Sequence, residues 1–171
     1  MTLKGFIYQI AYFCIGLLII FCQILPLQTT PQTWSGPNVL LLFFASIVSK
    51  RPEFSSSFLI AFIFLIEDFF LMRPPGLMSS LTVLGFYLLK RKFKNQEENS
   101  MISDWGSVAS CLTLILLLFY FISVVLFIPS AEFRLTLIEI IVTLALYPVF
   151  SILIRSFDKL DPADSEKIIP R

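Results

Sequence analysis

The chain has 171 residues, of which 57% are hydrophobic and only 15% are charged. A soluble domain carries about 25% charged residues, so this sequence lacks the polar side chains needed to cover a water-facing surface. The net charge of +1 gives no support for a nucleic-acid partner. Histidine is missing from the sequence, which removes the commonest general base and metal ligand. The composition therefore predicts a membrane protein and excludes a soluble single domain.

Long apolar runs predict an all-α fold, a polytopic membrane helical bundle with about six transmembrane helices. Four runs are long enough to cross a hydrocarbon core of about 30 Å, and the second and fourth runs are short. Residues 1–155 are expected to form the bundle, and the polar residues 156–171 a cytoplasmic tail. The predicted spans are 5–25, 37–49, 54–72, 77–89, 105–128 and 133–154.

Local signals indicate how several spans begin and end. The first run lacks the small residues of a signal-peptide cleavage site, so it is expected to be a permanent helix. Pro37, followed by Asn38, opens the short second helix. The turn Arg73-Pro74-Pro75-Gly76 stops the third, because proline lacks an N–H and disfavours helix in the residue before it. In the last span, Pro148 interrupts the hydrogen-bond ladder and is expected to produce a packing kink.

The Lys and Arg residues predict the orientation. With six spans and a cytoplasmic N-terminus, all 13 of them except Arg73 and Arg134 lie on the cytoplasmic side. Both termini are therefore expected in the cytoplasm, with the basic run 90–94 as stop-transfer charge. A four-span alternative, with both short segments re-entrant, moves Lys50 to the outside and changes the bias little. Six spans are preferred because the irregular tip of a re-entrant segment must be shielded from lipid.

Three carboxylates fall within apolar spans, namely Glu67, Asp68 and Glu139. A charged side chain at mid-helix costs about 2.5–3.5 kcal/mol, so each requires a reason. Arg73 is the expected counter-charge. Successive helical residues point about 100° apart, so one of the two adjacent acids is expected to reach the turn amides near Gly76. The residues permit inter-helix polar contacts, a groove for an external partner or lipid, or a proton relay.

Motifs of enzymes are missing from the sequence. It contains no serine or cysteine paired with histidine and no Gly-rich phosphate loop. The three cysteines lack the spacing of a metal site. We therefore predict no catalytic residue, no cofactor and no metal ligand. An enzyme acting on lipid head groups would be supported only by Glu67 and Asp68.

Three short motifs carry a family resemblance. Pro37-Asn38 opens a short helix, Asp68 precedes a turn that ends in Pro75-Gly76, and Pro148 in the last span precedes the basic Arg155. In these positions, and in length and charge pattern, the chain resembles the MreD family of the bacterial rod-shape machinery. The family usually has Leu-Gly where this chain has Pro75-Gly76.

The resemblance implies a non-catalytic scaffold of the cell-elongation complex in the bacterial inner membrane. Its implied partners are MreC, MreB, RodA and the elongation transpeptidase, and membrane lipids surround it. The implied role is in side-wall peptidoglycan synthesis and cell shape. The alternative is a substrate-binding subunit of a vitamin-type transporter, which is similar in size and helix number. Those subunits typically dock through an A-x-x-x-A pattern, of which Ala11 to Ile15 lacks the second alanine.

The polar membrane residues cluster around the third and fourth spans. We therefore expect these spans and their turn to form an outer-leaflet surface, organised by Asp68, on which a partner helix packs. The candidate structural or partner-binding residues are Pro37, Asn38, Glu67, Asp68, Arg73, Pro75, Gly76, Glu139 and Pro148.

Overall fold

The computed structural model describes residues 3–25, 36–50, 52, 55–94, 101–127 and 132–159. These residues form six α-helices and contain no strand, which confirms the predicted all-α fold. The helices are α1 Leu3–Ile24, α2 Val39–Lys50, α3 Ser57–Phe70, α4 Leu77–Lys94, α5 Met101–Val125 and α6 Phe133–Lys159.

Three helices are long and apolar enough to cross a membrane, with windows at Ile7–Ile24, Asp104–Val125 and Phe133–Ile154. Most residues of each window are exposed or half-buried rather than buried inside the bundle. Large apolar side chains on a surface are stable when lipid covers them. The structure thus supports a membrane protein. Pro148 lies inside α6 without ending it.

The lengths of α3 and α4 differ from those expected. The third helix has 14 residues rather than the full run 54–72, because Ser55 and Ser56 are non-helical and Met72 is left-handed at φ 51°. The fourth continues to Lys94, past its predicted end at residue 89. Lysine and arginine are good helix formers, so the basic run extends the helix. The short helices are therefore the second and third.

The predicted tail needs a similar correction. The sixth helix continues through Lys159, so it contains the start of the segment 156–171 that was expected to be a tail. The remainder of that segment lies outside the described residues.

The second helix is the centre of the bundle. Every residue from Leu40 to Ser49 is buried, as expected for a helix that is hydrophobic on all sides. This helix packs against α1, α4, α5 and α6. Its Phe44 ring also meets the ring of Phe64 in α3, edge to face, with centroids 5.8 Å apart. Any residue fixed to α2 is therefore fixed relative to the other five helices.

The fourth and fifth helices approach closely at Gly85. A Cβ atom at this position would lie 2.6 Å from Cδ1 and 2.9 Å from Cγ1 of Ile115. Small residues at such points allow membrane helices to pack tightly. Sequence reasoning did not single out Gly85.

Lysine contacts bring one set of helix ends together. Lys50 Nζ lies 3.5 Å from Oδ2 of Asp104, and Lys92 Nζ donates to Oγ of Ser107 at 2.7 Å. Lys90 Nζ donates to the carbonyl of Ser55 at 2.8 Å, so this lysine joins α4 to the residues before α3. We call this side of the bundle the basic end and the opposite side, at residues 71–76, the turn end.

The contacts at the basic end involve two lysines that the alternative topologies place differently. The four-span alternative places Lys50 and Lys92 on opposite sides of the membrane. In the structure both lysines contact the beginning of α5, at Asp104 and Ser107. The end of α2, the basic end of α4 and the beginning of α5 therefore lie on one side of the bundle.

Candidate functional site

Asp68 lies at the turn end and caps a helix other than its own. Its Oδ2 accepts hydrogen bonds from the backbone N–H groups of Gly76 at 3.0 Å and Ser79 at 3.3 Å. Gly76 directly precedes α4 and Ser79 lies in its first turn, so the carboxylate is at the positive end of the helix, which favours a negative charge. The side chain is completely buried. The expectation that one acid reaches the turn amides near Gly76 is thus confirmed for Asp68.

The backbone of the turn is shaped around the same aspartate. The carbonyl of Asp68 accepts from the N–H of Arg73 at 3.0 Å. Gly76 has φ +89°, a conformation that glycine adopts without the steric cost a side chain brings. Ser79 Oγ donates to the carbonyl of Ala61 at 2.9 Å, which joins α4 to α3. Pro75 is exposed on the outside of the turn.

Glu67 lies beside Asp68 but faces different neighbours. It is 1% exposed, and its Oε2 has no hydrogen-bond partner within the described part of the chain. It interacts electrostatically with Arg73, Asp68 and Glu139. Glu139 is half-buried on α6. The turn end therefore brings together the three acids and the arginine that the sequence singled out.

Arg73 is held by an aromatic ring as well as by charge. Its guanidinium carbon lies 5.3 Å from the ring centroid of Phe119 in α5, within the range of a cation–π contact. It interacts electrostatically with both Glu67 and Asp68. Arg73 thus connects the α3–α4 turn to α5.

Asn38 begins the second helix inside the bundle. Its Oδ1 accepts from the N–H of Leu41 at 3.0 Å, and its own N–H donates to Oγ1 of Thr143 at 3.2 Å. Thr143 lies about 15 Å along α6 from its first residue, at 1.5 Å per residue. Glu139 is one turn earlier on the same face of α6. Pro37 directly precedes the cap and is half-buried.

We expect Asn38→Ala to lower the free energy of unfolding by about 1–2 kcal/mol, because a buried helix cap is lost. Asn38→Ser, which keeps a capping oxygen, should lose less. Thermal unfolding in detergent measures both, and equal melting temperatures for Asn38→Ala and the wild type would contradict the assigned capping role.

A groove that is lined in part by small residues runs along the α3–α4 face. Its volume is about 520 Å³, and Gly76 and Ser79 form its turn end. These are the two residues that the Asp68 carboxylate holds. Small residues permit close approach of another helix in a membrane. The other lining residues are Ser57, Ala61, Ser80, Val83, Leu84 and Tyr87.

The polar side chains of the site position helix ends. Within the described ranges, no group of three or more His, Cys, Asp or Glu side chains could hold a metal ion. The polar atoms of Asp68 and Asn38 contact helix-end amides. Such contacts orient helices relative to one another, and they give the α3–α4 face a defined shape.

Several partners in the site were not found from the sequence. Thr143 and Phe119 are ordinary residues of apolar helices, and their contacts with Asn38 and Arg73 join distant parts of the chain. Ser79 is only 11 residues from Asp68, but its type carries no signal for this contact. The contact between Asp104 and Lys50 could have been predicted from the sequence. Asp104 is an acid at the start of one apolar run, and Lys50 is a base at the end of another. Pro148 lies away from this cluster, in the wall of a cavity at the basic end.

Comparison of the chain with protein-family models, curated proteins and solved structures found no match.

Proposed function

We propose that this chain is a non-catalytic membrane scaffold of the bacterial cell-elongation complex, of the MreD type. In this role it binds MreC and supports side-wall peptidoglycan synthesis and cell shape, together with MreB, RodA and the elongation transpeptidase. It lies in the inner membrane with the basic end in the cytoplasm, because Lys50, Lys90 and Lys92 gather there and positive charge favours that side.

The observation that carries the proposal is the link between Asp68 and the groove. The buried carboxylate holds the amides of Gly76 and Ser79, and these residues form the turn end of the groove. Asp68 and Gly76 are also residues of the motif that resembles the family. A membrane helix of a partner can pack against a rigid pair of helices that presents a groove.

The groove has a chemistry that favours a helix over a small polar ligand. Two of its four hydroxyl-bearing residues, Ser79 and Ser80, donate to the carbonyls of Ala61 and Leu77 within the bundle. The donors of these two serines are therefore already used. Van der Waals packing against small residues is a main contribution to association of membrane helices.

The first experiment is purification of the tagged chain from its native membranes in mild detergent, with mass spectrometry of co-purifying proteins. We expect MreC together with RodA or the elongation transpeptidase. An unrelated six-span protein is the control. Recovery of ATPase subunits in place of these proteins would contradict the scaffold and favour the transporter subunit.

A matched pair of serine variants locates the contact. Ser80→Leu fills the groove and should lower the MreC recovered per scaffold about tenfold, equivalent to a loss of about 1.4 kcal/mol of packing. Ser110→Leu is the control, because Ser110 is also exposed and its Oγ also donates to the carbonyl three residues earlier. Equal recovery of MreC with both variants would show that MreC does not bind in the groove.

A further inference from the structure

A cavity of about 300 Å³ lies at the basic end between α2, α5 and α6. Trp105, Pro148 and Ile152 form an apolar wall, and all three are exposed. The cavity therefore opens onto the surface that lipid covers. Lys50 and Asp104 lie at its polar side. A tryptophan in such a place is typical of the boundary between hydrocarbon and head groups.

The polar side of the cavity holds an ion pair, in which only one of the two carboxylate oxygens of Asp104 has a partner among the described residues. Lys50 Nζ is 3.5 Å from Oδ2 of Asp104, and the two side chains are only 13% and 18% exposed. Oδ1 of Asp104 is buried and has no hydrogen-bond partner within the described ranges. A lysine ammonium has three donors, of which this pair uses one. The pair thus has an acceptor and donors to spare, close together.

A second polar side chain lies in the cavity wall. Tyr147 is 3% exposed, and its hydroxyl interacts with Ser49 and Ser151. The polar side of the cavity thus consists of Lys50, Asp104 and this hydroxyl, and its other side is apolar. A cavity with one polar and one apolar side fits an amphipathic ligand.

We infer that this cavity binds a phospholipid whose head group carries a primary ammonium, as phosphatidylethanolamine does. The lipid phosphate accepts from Lys50, the ammonium donates to the Asp104 carboxylate, and an acyl chain occupies the apolar part beside Pro148 and Ile152. This inference does not depend on the partner proposed above, because the cavity is at the other end of the bundle from the Asp68 turn.

Charge complementarity selects this head group over others. An anionic head group would gain from Lys50 but would be repelled by Asp104. A choline head group has no N–H, so the free oxygen of Asp104 would stay unpaired, which is costly for a buried acceptor. A charge-assisted hydrogen bond is among the stronger ones. We expect a preference for ethanolamine over choline of about tenfold.

Native mass spectrometry of the full chain tests the inference with three dioleoyl lipids, which carry ethanolamine, choline or glycerol head groups. The wild type should retain one ethanolamine lipid about tenfold more than either of the others. Asp104→Asn should reduce that ratio to near one. Equal retention of all three lipids by the wild type, or preference for the glycerol lipid, would overturn the inference.

A second pair of variants leaves the ion pair intact. Ile152→Trp fills the apolar part of the cavity and should lower retention of the ethanolamine lipid severalfold. Leu153→Trp adds the same side chain at the next exposed position of α6, outside the cavity lining, and should retain the lipid as the wild type does. Undiminished retention by Ile152→Trp would equally overturn the inference.

Discussion

Replacing Asp68 by alanine is expected to cost about 2–5 kcal/mol of stability, because one buried and one half-buried N–H group lose their acceptor, at about 1–3 kcal/mol for a buried group. Those groups belong to Gly76, directly before α4, and to Ser79 in the first turn of α4. The negative charge at that helix end is lost as well. In thermal unfolding in detergent, the midpoint should fall by about 5–15 °C at a few degrees per kcal/mol.

Two conservative variants distinguish the stability that comes from capping α4 from the effect of changing any buried carboxyl group. Asp68→Asn keeps one acceptor oxygen and should fall between the wild type and Asp68→Ala. Glu67→Gln changes the adjacent acid, whose Oε2 has no hydrogen-bond partner among the described residues, and should cost less than Asp68→Ala. A midpoint for Asp68→Ala equal to that of the wild type would show that the α4 amides do not need this carboxylate.

Gly85→Leu is expected to destabilise the bundle by about 1–3 kcal/mol or more, since overpacking in a close-packed interior forces side chains and backbone apart. The Cβ alone would lie 2.6 Å from Cδ1 of Ile115, so α4 and α5 must separate or Ile115 must move. Gly85→Ala should cost less, because the contact is with the end of a flexible side chain. The measurement is again the unfolding midpoint in detergent.

Gly106→Leu is the matched control, because a Cβ at Gly106 in α5 meets nothing within 4 Å. That variant should be neutral or slightly stabilising, given the poor helix propensity of glycine. Adding Ile115→Ala to Gly85→Leu should restore part of the loss, with a coupling of about 0.5–3 kcal/mol for residues in contact. Equal destabilisation by Gly85→Leu and Gly106→Leu would contradict the close approach of α4 and α5.

The contacts of the site that could be predicted from the sequence are those between residues that are close along the chain. Asp68 and Gly76 are eight residues apart, so helix geometry and the turn residues were enough to bring them together. The same reasoning located Asn38 at the start of a short helix, because proline and asparagine favour that position. Only the residue type and the local spacing were needed.

Contacts between distant helices could not be predicted in this way. Asn38 and Thr143 are 105 residues apart, and Lys50 and Asp104 are 54 apart. Apolar helices in lipid have nearly uniform composition, so hydropathy shows their existence but not their neighbours. The length of α4 was also underestimated, because hydropathy marks the edge of the hydrocarbon whereas the helix continues through its basic residues to Lys94.

The enclosure of the second helix has a consequence for how the protein is assembled. Ribosomes make the chain from its N-terminus, so α2 enters the membrane before α5 and α6 have been synthesised. The N–H of Asn38 and the ammonium of Lys50 obtain their partners only when Thr143 and Asp104 arrive. Until then, lipid must occupy the sides of α2 that these later helices cover. Assembly of the bundle therefore ends with its last helix, and a nascent chain stopped before α6 exposes its own centre to the bilayer.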